Sequence, residues 1–334
     1  MTSLVTPTRR AWLRASIATV AAGLPAWAGA TASPWRCATG YRADSFHGRN
    51  LAQCLEEWSA ASQQAPKVEL HPNNSLVNLA AIAGHVKARQ IEMGETIMST
   101  LINDMPVAGA DSVPFVVRSY ADARRLWRWQ RPLVEQAFAS MGITVLYAVP
   151  WPPQGLYTMR PLGSLAELRG SRMRSYNRST ARIAELLGCT AVEVPMSEVG
   201  QALADGRIDC MITSAVTGVE NQAWKHLRHY HEINAWFPKN IVIANAKALA
   251  ELDASARRGL LGAASAAEAR GWAASESVAA ESVAELKRQG MKVEPLPTNA
   301  MGEMRRLGER CSVEWIREVG PEANQIFVPY YTQA

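Results

Sequence analysis

Paired-cysteine signatures are missing from this 334-residue chain: Cys37, Cys54, Cys189, Cys210 and Cys311 lie far apart, with no CxxC and no metal-ligand spacing. That excludes a dense disulfide scaffold and a zinc finger or ribbon. Enzyme signatures are equally scarce. There is no GxSxG elbow, no Walker A loop, no HExxH and no GxGxxG after a strand, so no catalytic residue and no cofactor is expected from motifs. No apolar run beyond the N-terminal segment is long enough to span a bilayer.

A clustered basic face of the kind that tracks nucleic acid is also lacking. The one candidate, Arg124-Arg125-Leu126-Trp127-Arg128-Trp129-Gln130-Arg131, sets Leu126 and Trp129 three apart, which reads as a buried helical stripe with solvated arginines. No nucleic-acid partner is expected. The formal charge of +5 falls to +2 once residues 1–30, with Arg9, Arg10 and Arg14 and no acids, are set aside.

Those residues look like a leader. Thr8-Arg9-Arg10-Ala11-Trp12-Leu13-Arg14 precedes an alanine-rich run to Ala28, with small residues at Ala26, Ala28 and Ala30 for a signal peptidase. The pattern resembles a twin-arginine signal peptide, which implies export to the periplasm and removal of the segment. The rest of the chain, about 300 residues, is long enough for two domains.

Short strand-like runs alternate with amphipathic helices along those residues, an α/β pattern. Strands are expected at Arg36–Tyr41, Lys67–His71 and Ile91–Ser99, with a helix from Arg49 to Gln63. Further on, Ser171–Tyr176, Thr190–Val194 and Ile208–Thr213 read as strands separated by helices at Ser179–Leu187 and Ser197–Ala204. Such a βαβαβ run forms a parallel sheet, whose ligands sit beyond the carboxyl ends of the strands. Tyr176-Asn177 and Thr213-Ser214 occupy those ends. From Asp253 to Gln289 there is no proline and much alanine, so one helix of about 50 Å is predicted there, unless Gly259, Gly262 or Gly271 breaks it. Pro150-Trp151-Pro152-Pro153 is the hinge candidate.

Two clusters carry potential chemistry. His226, His229 and His231 have cationic neighbours and no nearby cysteine or carboxylate pair, so they read as polar surface or local hydrogen bonding and no metal is assigned. Arg174 lies near the end of a strand and ahead of a helix N-terminus, where its planar fork suits a carboxylate. From spacing alone a solvated or ion-paired arginine is the commoner outcome.

A family resemblance raises Arg174 above that background. Leu165-Ala166-Glu167-Leu168-Arg169-Gly170 with Arg172-Met173-Arg174 resembles the D-L-K-G-x-K-x-R stretch of DctP-type solute-binding proteins of tripartite ATP-independent periplasmic (TRAP) transporters. Leu187-Gly188, Val192-Glu193-Val194-Pro195 and Gln201 through Asp209 continue the likeness in order. The resemblance implies an α/β, two-lobed periplasmic-binding-protein-like fold with a long helix bracing both lobes. The lobes would comprise residues 34–152 with about 241–288, and 153–240 with about 289–334. It also implies a small organic acid as cargo, delivery to integral membrane permease subunits, and no chemistry on the ligand.

The family's carboxylate-clamping arginine maps onto Arg174. Thr213 falls where the family commonly has asparagine, and Gln154 where it often has a second arginine. One cation fewer argues for a monocarboxylate carrying hydroxy, oxo or lactam groups, because an unpartnered charge is costly to bury. Gln154, Asn177, Thr213 and Ser214 would serve those neutral groups, Trp151 and Trp236 would wall the pocket, and Glu95 and His47 would come from the first lobe. An exported enzyme and a sensor docking on a receptor are the alternatives.

Overall fold

Apolar runs between amphipathic helices build eleven strands in the computed structural model, which describes residues 33–333. The leader at residues 1–30 lies outside the described residues. The strands are β1 (Trp35–Thr39), β2 (Val68–His71), β3 (Met93–Ile97), β4 (Ile143–Pro150), β5 (Gln154–Thr158), β6 (Arg172–Ser175), β7 (Thr190–Glu193), β8 (Cys210–Ser214), β9 (His229–His231), β10 (Lys239–Asn245) and β11 (Lys292–Glu294). They form two sheets, ordered β2-β1-β3-β10-β4 and β11-β9-β5-β8-β6-β7. The fold is α/β and two-lobed, one sheet to each lobe.

In the first sheet β2, β1 and β3 are parallel, and β10 runs antiparallel between β3 and β4. Every residue of β3 and β10 is buried, as expected of strands covered on both faces. Lys239 enters that interior because its ammonium stands 3.4 Å from Asp111 Oδ2 and its backbone N–H donates to the same oxygen at 2.9 Å. In the second sheet β8, β6 and β7 are parallel and carry the expected βαβαβ unit, while β5 is antiparallel to both β8 and β9.

The chain crosses between sheets at Trp151–Pro153 and again between β9 and β10. These two crossings hold each other: Trp151 N–H donates to Pro238 O at 2.7 Å, Gln154 N–H to Trp236 O at 3.1 Å and Ala235 N–H to Gln154 O at 2.9 Å. The third crossing is the helix Ala254–Arg288, 35 residues without a break. Asp253 caps it by accepting from Ser255 N and Ala256 N. Its first half buries Leu260, Ala263, Ala264 and Ala267 against the first lobe, and Leu286 near its end joins the core of the second. Small residues let the helix Phe46–Ala61 approach closely enough for Trp58 Nε1 to donate to Ala256 O at 2.8 Å and Asn50 Nδ2 to Ala267 O at 3.0 Å.

The glycines that threatened to break this helix leave it continuous, and packing calls for one of them. A Cβ on Gly271 would meet Val149 Cγ2 at 2.3 Å, so close packing against β4 requires a glycine there. The arginine-rich helix Tyr120–Ser140 buries Ala123, Leu126 and Trp127, with Trp129 only half-buried. Its arginines turn to partners within the chain, Arg131 to Glu135 and Glu268 and Arg124 to the Trp272 ring.

The last helix departs from the expected lobe assignment of residues 289–334. Pro321–Thr332 packs on Tyr120–Ser140, with Ile326, Phe327 and Tyr330 in the same core as Leu126 and Trp127. The Tyr330 hydroxyl donates to Val116 O at 2.6 Å. An apolar face of this kind goes to whichever stripe it can cover, and the open stripe belongs to the first lobe.

Candidate functional site

A cavity of ≈ 400 Å³ lies between the two sheets, within the ordinary range for a small-molecule site. The second lobe presents to it the strand ends that the βαβαβ pattern singled out. Gln154 opens β5 directly beside Ser214 at the end of β8, and Arg174 sits on β6 in register with Met211 of β8. Arg174, Gln154, Thr213, Ser214 and Trp151 all line the cavity.

Arg174 is 4 % exposed. Its Nε donates to Val194 O at 3.0 Å, and its guanidinium carbon lies 4.8 Å from the centre of the Tyr176 ring. Among the described residues no carboxylate lies within 4 Å of it. Burial pulls its pKa down from 12.5 to about 10, with the Tyr176 and Tyr41 hydroxyls opposing the shift. A guanidinium desolvated without an anion is an unmet demand for one.

Neutral groups stand beside it in the cavity wall, to which Glu193 and Glu198 also contribute. Gln154 Nε2 donates to Pro152 O at 2.7 Å, which fixes the amide and commits one of its hydrogens. Ser214 Oγ accepts from Thr217 N at 3.2 Å, so that hydroxyl caps the helix Ala215–Glu220.

The remaining four expected residues stand elsewhere. Asn177 is the N-cap of Arg178–Leu186, its Oδ1 accepting from Thr180 N at 2.8 Å, and it does not line the cavity. At the helix end ahead of which Arg174 was placed, that cap takes up the Thr180 N–H. Trp236 is buried in the core of the second lobe, against the Tyr176 hydroxyl, and forms no cavity wall. Its backbone belongs to the crossing beside Gln154, which directs the ring inward.

Glu95 and His47 lie behind the wall. Glu95 accepts from Thr39 Oγ1 at 2.7 Å and Asn240 Nδ2 at 3.0 Å, and His47 Nδ1 stands 3.2 Å from it. Burial alone would raise the Glu95 carboxyl, but His47, Thr39 and Asn240 outweigh it and hold the pKa below its ordinary value. Asn240 Oδ1 in turn accepts from Trp151 Nε1 at 2.8 Å and from the Tyr41 hydroxyl at 3.0 Å. The pair therefore orients two cavity-lining rings through Asn240. Sequence reasoning missed Tyr41, Tyr176 and Asn240: Tyr176 was visible at its strand end, whereas Tyr41 and Asn240 meet across 199 positions with no local signal.

The site is thus an unpaired buried arginine in a cavity between the two sheets. Residues 39–312 match the DctP family, bacterial extracellular solute-binding protein family 7. The chain belongs to that family. Two solved DctP-type receptors of Bordetella pertussis are similar along almost the whole chain: DctP7 is 34 % identical and DctP6 31 %, each with a TM-score of 0.88, covering 90 % of this chain and 100 % of theirs. Both are described as extracytoplasmic solute receptors binding pyroglutamic acid. A solute-binding protein of Albidiferax ferrireducens is 22 % identical over 175 residues, 52 % of this chain and 51 % of that protein, so the match spans about half the length of this curated relative. Family and neighbours alike are solute receptors.

Proposed function

We propose that this DctP-type protein works in the periplasm, where it captures a small monocarboxylate of the lactam or oxo acid class, pyroglutamate foremost, and delivers it to the membrane permease of a TRAP transporter. The observation that carries the reading is Arg174, a buried cation with no acid partner among the described residues, facing a cavity. A carboxylate bonded by its fork would supply the missing charge through two charge-assisted hydrogen bonds.

Selectivity comes from the groups around that arginine. Arg174 is the only lysine or arginine lining the cavity among the described residues, so a second carboxylate would be buried without compensation. A lactam presents one N–H and one C=O, which Gln154 and Thr213 can satisfy. The binding of pyroglutamic acid by the two Bordetella pertussis receptors supports the same class. In this reading the crossings at Trp151–Pro153 and before β10 form the hinge, and the long helix braces the lobes as they close.

Calorimetry with L-pyroglutamate, lactate, succinate and D-glucuronate tests the assignment. Pyroglutamate should bind at one site, at least tenfold tighter than succinate. Tighter binding of succinate, or no binding of any monocarboxylate, would overturn it.

A further inference from the structure

Of the three clustered histidines only His226 stays half-exposed. His229 and His231 are buried, because β9 lies inside the second sheet between β5 and β11. Alternation along the strand puts both imidazoles on one face and Tyr230 on the other, where its ring packs 4.6 Å from that of Tyr157. In sequence Glu232 is the one carboxylate beside them, with no second to pair with it. The parallel pairing of β11 with β9 supplies another, setting Glu294 in register with His231.

The three side chains converge. His229 Nδ1 lies 2.8 Å from Glu294 Oε1, and one donor atom from each residue falls within 4.8 Å of the others. His231 Nδ1 is buried with no hydrogen-bond partner, an orphan that calls for an explanation. Its other nitrogen faces an acceptor. Thr158 Oγ1 is 3.4 Å from Nε2 and gives its own hydrogen to Arg160 O at 2.7 Å. Imidazoles that bind metals are held this way, one nitrogen on the ion and the other against a protein acceptor.

We propose that His229, His231 and Glu294 form a binding site for a divalent first-row transition ion, with zinc the best match, separate from the carboxylate cavity. Two imidazoles and one carboxylate are a zinc donor set that leaves a fourth position for water. Tetrahedral bonds of about 2.0–2.1 Å place donor atoms about 3.3 Å apart, inside the observed spread, so the site closes with small side-chain movements. The Glu294 side chain is 41 % exposed and opens the way in. Lys292, opposite His229 in register, is exposed and free to point into solvent. None of the three ligands lines the carboxylate cavity. A bound ion would clamp β11, which comes directly after the long helix, onto β9.

The test uses tag-free protein stripped with EDTA. Titration with zinc chloride should show one saturable equivalent, cobalt(II) should give the visible spectrum of a tetrahedral site, and zinc should raise the melting temperature. His231→Ala and Glu294→Gln should each weaken zinc binding at least tenfold, with His226→Gln unchanged. Glu294→Gln, at a half-exposed position, keeps the test decisive should His231→Ala fail to fold. Absence of saturable binding, or equal binding by the Glu294→Gln protein, overturns the proposal.

Discussion

Replacing Arg174 by methionine separates the cost of that residue from its use. In the ligand-free protein its folded pKa, about 10, lies below the ordinary 12.5 because burial disfavours the charged form. For a base shifted downward, the penalty is present in full at neutral pH and is relieved only as the pH rises through the folded value. The difference corresponds to roughly 3 kcal/mol at 1.36 kcal/mol per decade. Methionine keeps most of the apolar stem and removes the charge. It also removes the bond from Nε to Val194 O, a loss of about 1 kcal/mol. The balance is a ligand-free protein more stable by about 2 kcal/mol, which scanning calorimetry at pH 7 should report as a melting temperature several degrees higher.

Ligand binding should move the other way. Losing one partner of a buried, hydrogen-bonded charge pair costs about 2–5 kcal/mol, or about 30-fold to several thousandfold in Kd. Arg174→Lys, which keeps the charge but not the fork, should fall between the two. The combination is diagnostic: higher stability without ligand, and no further rise with pyroglutamate. Two outcomes would refute the reasoning. Affinity within threefold of the parent protein would mean that Arg174 does not hold the ligand, and a large loss of ligand-free stability would make it a structural residue.

The long helix offers a paired test of packing against propensity. Gly262→Ala has open space around the new methyl and should raise stability by about 0.5–1 kcal/mol, whereas Gly271→Ala drives a Cβ into Val149 and Asn50 and should lower it by about 1–3 kcal/mol in urea melts. Equal effects would show that the two glycines do not differ in packing. Glu95 supplies a pH signature: a carboxyl held below its ordinary 4.5 contributes stability present above that value and lost as the pH falls through its folded value. Glu95→Gln should therefore flatten the decline in melting temperature below about pH 4.5, and an unchanged acid profile would show that the carboxylate does not carry this dependence.

Local signals accounted for what each lobe contributes alone. The strand ends at Arg174 and Thr213 were legible because a βαβαβ run fixes its own handedness and direction, which put those residues at one edge before any contact was known. Asn177 was misplaced for an equally local reason. The position just past the end of a strand is also where the next helix is capped, and the asparagine there accepts from a backbone N–H before it reaches a ligand.

Contacts made by distant segments left no such trace. The aromatic wall depends on Glu95 bonding Asn240 and on Asn240 bonding Trp151 and Tyr41, four residues brought together only when β10 returns from the second lobe to lie between β3 and β4. The residues leading into that strand, Ala235, Trp236 and Pro238, bond the crossing that carries Gln154. Aromatic orientation and the crossing thus depend on adjacent stretches of one segment, residues 235–240. A change at Asn240 would reach the cavity through Trp151 and Tyr41 at once, even though Asn240 does not line it.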